Sequence, residues 1–287
     1  MTRFIEMHGV AKSFPVRGGT RDVLRNVSLS VERGEFVSIL GTMGSGKSTL
    51  LGLLAGLVAA DRGTILVDGT PVQGIRRDAS YVFQNYSLLP WLTALENVRL
   101  AVGAAFPDLT RRAQRERAHA MLARVGLGNA VHRRPGQLSG GMRQRVSIAR
   151  AFATDPSILF LDEPFGALDA LTRETLQQEL ARLCSQADRP VTTVMITNNV
   201  EEAILLSDRI VPILPGPPAL LGVPIAVELP RPRSLAQLAH DEEATRVRAH
   251  VIATLTASLE RAVPPPGARQ TYPGTGNRGR DITNVGA

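Results

Sequence analysis

The chain has 287 residues, 44% hydrophobic, 21% charged and 4% aromatic, enough apolar content for one large domain or two small ones and too much for a disordered or fibrous protein. Its single cysteine, Cys184, leaves no intrachain disulfide, and no Cys/His cluster has zinc-site spacing, so a reducing, cytosolic setting is expected. The net charge of +7 invites nucleic acid or an anionic surface as partner, but it is local: Arg99 to Arg150 holds eleven arginines against Asp108 and Glu116, more than the whole chain's excess.

The N-terminus, Met1-Thr-Arg-Phe-Ile-Glu-Met-His, carries charge where a signal peptide needs an apolar run, so secretion is not expected. Strands are expected at Val23–Val31, Glu35–Leu40 and Thr64–Val67, the last closed by the turn Asp68-Gly69. After Leu40 a glycine-rich turn opens a helical run from Lys47 to about Leu57, and strand, glycine loop, helix begins an α/β unit. From Leu95 to Ala153 the pattern turns helical, with Met121 and Val125 four apart and Met142, Val146, Ala149 and Ala153 on one stripe. That basic stretch reads as a helical subdomain, about residues 85–153, inserted in the α/β core.

Ser157–Asp162 is an apolar run closed by acids, as expected of a central parallel strand covered on both faces. Leu168, Leu171, Leu176, Leu180 and Leu183 mark an amphipathic helix, and Val191–Ile196 the next strand, an alternation that means a mostly parallel sheet with helices on both sides. The longest uncharged run, Ile210–Val227, contains five prolines that a lipid-embedded helix could not accommodate, so no membrane span is expected. Residues 1–230 thus form the main domain. Beyond Pro230, Val247, Val251, Leu255 and Leu259 at helical spacing make an appendage over 231–262, and residues 263–287, with four prolines and five glycines, are expected to be disordered.

Gly41-Thr42-Met43-Gly44-Ser45-Gly46-Lys47-Ser48-Thr49 fits G-x-x-x-x-G-K-[S/T] in the strand–loop–helix setting that phosphate binding requires. Glycines let backbone N–H groups converge on phosphate oxygens, a lysine neutralises the β and γ phosphates, and a serine can ligate Mg²⁺. Lys47 is one of only two lysines among 33 basic residues, so where arginine serves almost everywhere else a lysine looks chemically required. Asp162 and Glu163 end the buried strand, where carboxylates are costly unless they hold a metal or a reacting water. Asp162 is expected to hold Mg²⁺ through water and Glu163 to deprotonate the attacking water. A GTPase is disfavoured because neither lysine sits in an Asn-Lys-x-Asp element. In Leu138-Ser139-Gly140-Gly141-Met142, Ser139 can cap the following helix while the glycines expose N–H groups, a second anion site.

Together these residues resemble the ATP-binding subunit of an ABC transporter over about residues 3–228. The features that carry the likeness are the Ser-Gly-Gly signature, its spacing to Asp162-Glu163, and Gly166-Ala-Leu-Asp169. The resemblance implies an α/β fold: a P-loop NTPase core with a mostly parallel sheet, an antiparallel β subdomain and an inserted helical subdomain. It implies ATP and Mg²⁺ as ligands, and a homodimer or heterodimer of ATP-binding subunits paired head to tail. Each ATP would lie between the phosphate loop of one subunit and Leu138, Ser139, Gly140, Gly141 and Met142 of the other, with Asp169 in a dimer loop. It further implies that Phe14 stacks on adenine and that Gln84 senses Mg²⁺ and the γ phosphate, although by residue type alone either could be core or surface. Trp91, the only tryptophan, lies in Gln84-Asn-Tyr-Ser-Leu-Leu-Pro-Trp91-Leu92-Thr, where two readings stand: core packing, or a groove that receives a cytoplasmic helix of the membrane subunit.

Most relatives carry a histidine after the strand corresponding to Val191–Ile196. Here the sequence is Ile196-Thr197-Asn198-Asn199, and Asn198 can donate a hydrogen bond to phosphate but cannot become cationic. That replacement, the Trp91 string, Leu205-Leu-Ser-Asp-Arg-Ile210 and the Leu-Pro-Arg-Pro-Arg end of Gly222–Arg233 resemble the nitrate branch of the nitrate/sulfonate/taurine importers, which includes nitrite, cyanate and bicarbonate subunits. The expectation is a peripheral subunit on the cytoplasmic face of the inner membrane, working with integral permease subunits and an external substrate-binding protein. Two other classes are a nucleic-acid-associated ATPase of the superfamily and a non-hydrolysing ATP-dependent regulator. The first lacks its usual second module or coiled coil, and the second is at odds with Glu163, so no nucleic-acid partner is expected.

Overall fold

The structure, a computed structural model, describes residues 3–185, 190–214, 216 and 218–262. A long antiparallel hairpin of β1 (Arg3–Val16) and β2 (Gly19–Glu32) opens the chain and turns at Gly18 and Gly19, which have φ of +94° and +159°. Then come β3 (Phe36–Leu40), α1 (Lys47–Leu54), β4 (Arg62–Val67) and the short β5 (Thr70–Pro71). β4 and β5 extend the hairpin into an antiparallel sheet of order β2-β1-β4-β5. Alternate residues Ile5, Met7, Val27, Leu29, Val31, Ile65 and Val67 point inward and are buried. They pack with Leu50, Leu51 and Leu54 of α1 against one face of a second sheet, through Val37, Ile39, Phe160 and Ile196.

That second sheet is built from β3, β6 (Ala79–Val82), β7 (Ile158–Asp162), β8 (Thr192–Thr197) and β9 (Arg209–Leu214), all parallel in the order β9-β3-β8-β7-β6. The short strands β10 (Leu220–Leu221) and β11 (Ile225–Ala226) pair antiparallel with β9. Strands β3, β7 and β8 are buried on both sides, which their unbroken apolar runs require. The fold is therefore the expected one: a mostly parallel α/β core joined to an antiparallel sheet.

Between β6 and β7 lie α2 (Ala94–Ala105), α3 (Arg111–Arg124) and α4 (Gly140–Phe152), capped by Thr93, Thr110 and Ser139. Several of the segment's arginines are structural ties. Arg117 donates to Ala153 O at 2.7 Å and lies over the Phe106 ring, and Arg145 joins Val125 O to Glu179.

Helix α5 (Ala170–Cys184) buries Leu176, Leu180 and Leu183, but Leu171 is 80% exposed at its first turn and lies off the expected stripe. α6 (Val200–Leu206) follows β8. After β11 come α7 (Leu235–Leu238) and α8 (Glu242–Ala262). Val247 and Val251 of α8 join Ala203 and Ile204 of α6 in one core, and Arg248 grips Glu201 through two bonds of 2.5 and 2.9 Å. The segment after Pro230 is thus packed into the main core, where an appendage was expected. The 263–287 tail lies outside the described residues. Strands β1, β6 and β9 and helix α6 were not anticipated. Register shifts break the alternation of β1 around Val10, and Pro212 disguises β9.

Candidate functional site

The carboxyl ends of β3, β7 and β8 converge with the start of α1, where open α/β sheets place their ligands. The loop after β3 folds back tightly: a side chain at Gly41 would lie 2.4 Å from Ile213 Cγ2, while Gly44 and Gly46 adopt φ of +76° and +88°. This is the conformational freedom that turns N–H groups toward an anion. Lys47 is 4% exposed, and its Nζ donates to Gly41 O at 3.0 Å and Thr42 O at 2.8 Å and stands 3.5 Å from Glu163 Oε1. Ser45 Oγ is buried without a hydrogen-bond partner among the described residues, an orphaned donor that a phosphate oxygen would satisfy.

Across this loop, Ser48 Oγ donates to Asp162 Oδ1 at 3.3 Å and the Tyr81 hydroxyl donates to Asp162 Oδ2 at 3.0 Å. Burial pushes the Asp162 carboxyl above its ordinary value, opposed by those two bonds, and burial together with the Asp162 charge pushes the Tyr81 phenol up. Hydroxyl, carboxylate and amide oxygens of this kind suit a hard divalent cation such as Mg²⁺. Among the described residues no cluster of three or more His, Cys, Asp or Glu could hold a metal ion.

Glu163 adopts φ of +43° immediately after β7, its N–H tied to Ile196 O at 3.0 Å. Gln84, just after β6, donates to Glu163 Oε2 at 3.2 Å. One carboxylate thus lies between an ammonium and an amide, in an uncommon backbone conformation that functional sites often hold. The loop before α6 adds Asn198, which is exposed, beside Asn199, whose Oδ1 caps α6 through Glu201 N and Glu202 N. Thr197 donates to the buried Glu202 at 2.7 Å.

The remaining expected residues stand apart from this cluster. Ser139 accepts from Met142 N at the start of α4, and a side chain on Gly141 would come within 2.4 Å of Thr172 Cγ2 in α5. A glycine at 141 is thus favoured by packing alone. Asp169 caps α5 through Thr172 N at 3.0 Å. Phe14 is 36% exposed on β1 with Lys12 Nζ 5.3 Å from its ring centre. Trp91 is 65% exposed, which disposes of the core-packing reading.

The family model described as ABC transporter matches residues 24–166. The chain is 45% identical over 251 residues to the nitrate import ATP-binding protein NrtD of Synechococcus elongatus, covering 88% of this chain and 91% of that one. It is also 45% identical to the nitrate transport protein NasD of Klebsiella oxytoca, covering 96% of it. The bicarbonate transport ATP-binding protein CmpC of Synechococcus elongatus is 44% identical, but the chain spans 38% of its length. The dimeric post-hydrolysis ATP-binding cassette MJ0796, bound to ADP and Pi, superposes with a TM-score of 0.71 at 32% identity, over 78% of this chain and 99% of that one. The chain belongs to the ABC transporter family.

Within this ABC cassette, several polar contacts escaped the sequence reading. Tyr81 on Asp162 and Asn199 as the cap carry no motif. Arg150 of α4 donates to Ser87 O at 2.5 Å and Tyr86 O at 2.9 Å, and Ser147 to Tyr86 O at 3.2 Å. Together they hold two consecutive left-handed residues, Tyr86 and Ser87, with φ of +64° and +47°, two and three positions after Gln84. The signature helix is thereby bonded directly to the loop of Gln84.

Proposed function

We propose that this chain is the ATP-hydrolysing subunit of an importer for a small inorganic anion, with nitrate or nitrite as the cargo. The 45% identity to NrtD and NasD over nearly their whole lengths carries the cargo assignment. The convergence of Lys47, Ser48, Gln84, Asp162 and Glu163 on one phosphate-loop mouth supports the chemistry.

Residues 41–49 bind the triphosphate, with Thr42, Met43 and Thr49 completing the loop, and Lys47 balances the β and γ charges. Ser48 and Asp162, joined by Gln84, would hold Mg²⁺, which would neutralise negative charge on the triphosphate. Glu163 takes the proton of the attacking water. In the structure it faces Lys47, so phosphate competes for that ammonium and frees the carboxylate to act as base. Asn198 offers a neutral hydrogen bond to the γ phosphate. Phe14 stacks on adenine, and Leu138–Met142 and Asp169 face the nucleotide of a second ATP-binding subunit, identical or not. Leu57, Ile75 and Trp91 leave 42%, 74% and 65% of their surfaces exposed beside the loop of Gln84, a surface for a helix of an integral permease fed by an external binding protein. On this reading the subunit is peripheral, on the cytoplasmic face of the membrane. Among the described residues no helix is long and apolar enough to cross it.

Bicarbonate is the second reading, favoured by the 43% identity to the bicarbonate transport ATP-binding protein CmpD of Synechocystis over 88% of both chains. Uptake of isotope-labelled nitrate and, separately, bicarbonate at low concentration in cells lacking this protein decides between them. Restoration of nitrate uptake by the native chain but not by Lys47→Ala supports the first reading. Restoration of bicarbonate uptake alone replaces it with the second.

A further inference from the structure

A cavity of about 610 Å³ lies between the end of α5, the end of α6 and the segment after β11, within the ~300–1,000 Å³ of ordinary ligand sites. It touches β3 only at Phe36, the first residue of that strand, whereas the phosphate loop leaves the strand's other end. Phe36, Ala181, Leu205 and Leu206 give it apolar walls, and Arg182, Arg231 and Arg233 bring three positive charges.

The three arginines are committed to different degrees. Arg233 is spent on the carbonyl oxygens of Ile204, Ser207, Val227 and Leu229. These acceptors are neutral, so no carboxylate pairs with it directly; burial first, then Arg231, lower its pKa to about 10 against the pull of Asp208, leaving it protonated at neutral pH. Arg231 uses Nη2 on Asp208 at 3.0 Å and on Leu206 O, leaving Nε and Nη1. Arg182 has no hydrogen bond or ion pair to any described residue. Asp208 is the only carboxylate bonded to these arginines among the described residues, and its other oxygen accepts from Phe36 N at 2.9 Å. Gln237 adds an uncommitted amide Nε2, since its Oε1 is taken by Ser234. The cavity therefore has a surplus of donors and positive charge over an apolar wall.

We propose that this cavity binds a small organic anion, a carboxylate with an apolar body, at a site separate from the nucleotide. Arg182 and the free edge of Arg231 take the carboxylate, as a planar guanidinium does well, while the body lies against Phe36, Leu205 and Leu206. A bare inorganic ion would satisfy the charges and leave those walls unused.

Calorimetric titration of the purified full chain tests this, with benzoate, hexanoate and succinate as carboxylate probes and inorganic phosphate and sulfate as bare-anion probes. Saturable binding of benzoate or hexanoate is expected at millimolar concentration or below, tighter than that of phosphate or sulfate. Arg182→Glu, at an exposed position, should weaken it by about tenfold or more, the size of a lost charge-assisted bond, without lowering the melting temperature of the free chain. Gln178→Glu, also exposed, should weaken it by placing a like charge on the cavity lining, and Lys47→Ala should bind as the native chain does. The proposal is overturned if none of the three carboxylates binds, if phosphate or sulfate binds as tightly, or if affinity survives both Arg182→Glu and Gln178→Glu. Loss of binding in Lys47→Ala would instead assign it to the nucleotide site and overturn the proposal equally.

Discussion

At the start of β3, Arg209 meets Glu35 through two bonds of 2.7 and 2.9 Å and reaches Ser30 O at 2.6 Å, while Glu35 also accepts from Glu32 N. At the other end of the strand Lys47 stands 3.5 Å from Glu163, Gln84 is 3.2 Å from the same carboxylate, and Ser48 is 3.3 Å from Asp162. One network is short, bidentate and closed. The other is long, spread over several partners and placed beside a hydroxyl with none. A charge cluster that serves the fold satisfies itself, whereas one that serves a ligand keeps capacity for what is to be bound. Carboxylates at both ends are partly buried, so burial alone does not separate them. The closeness of the pairing does.

The largest effect expected from this contrast lies at the open end. Glu163→Gln removes the proposed base but keeps the shape, and should lower ATP hydrolysis by about 10²- to 10⁴-fold. Phosphate release and thermal melting measured side by side should show the first collapse and the second hold. A melting temperature that falls with activity would mean that the open network is structural after all. The converse holds for Arg209→Ala, which leaves a partly buried carboxylate without its cation. It should cost about 1–3 kcal/mol in chemical denaturation and leave per-molecule ATPase activity near native in the folded fraction.

Smaller effects sharpen the picture. Gly141→Ala puts a methyl group against Thr172 Cγ2 and should destabilise by about 1–3 kcal/mol. Thr172→Ser, which removes that methyl, should recover most of the loss, and a double variant no better than the single one would remove the packing explanation. Glu202 gives the smallest shift and the one with a pH signature. Burial raises its pKa, so the folded protein holds that proton more tightly than the unfolded chain does. Its contribution to stability is therefore present in acid and lost as the pH rises through the folded pKa, an effect tempered by Thr197 and by Arg173 at 3.9 Å. Glu202→Gln should melt slightly higher than the native chain at neutral pH, with the difference shrinking on acidification. A constant difference would assign the effect to packing.

The phosphate loop was legible because its motif is eight contiguous residues, Gly41 to Ser48, between a strand and a helix. The Asp162-Glu163 strand end was legible because paired acids after a buried apolar run are costly. Tyr81, Arg150 and Asn199 were not, since their meaning resides in partners 81 and 64 positions away or in a cap that any Asx residue could make. β9 stayed hidden because Pro212 argues against a strand, yet it pairs in parallel register with Leu40. The stripe ending in Val251 was visible, but no residue count announces that it would close over α6 and join the main core.

Trp91 gives the chain a built-in optical probe. It is the only indole in the molecule and is 65% exposed, on the loop that follows Gln84. Excited selectively among three tyrosines, it should emit to the red, as a wetted indole does, and shift to the blue with reduced quenching when another surface covers it. The unlabelled subunit can thus report its own docking, and because no second indole contributes, the whole signal belongs to that one loop.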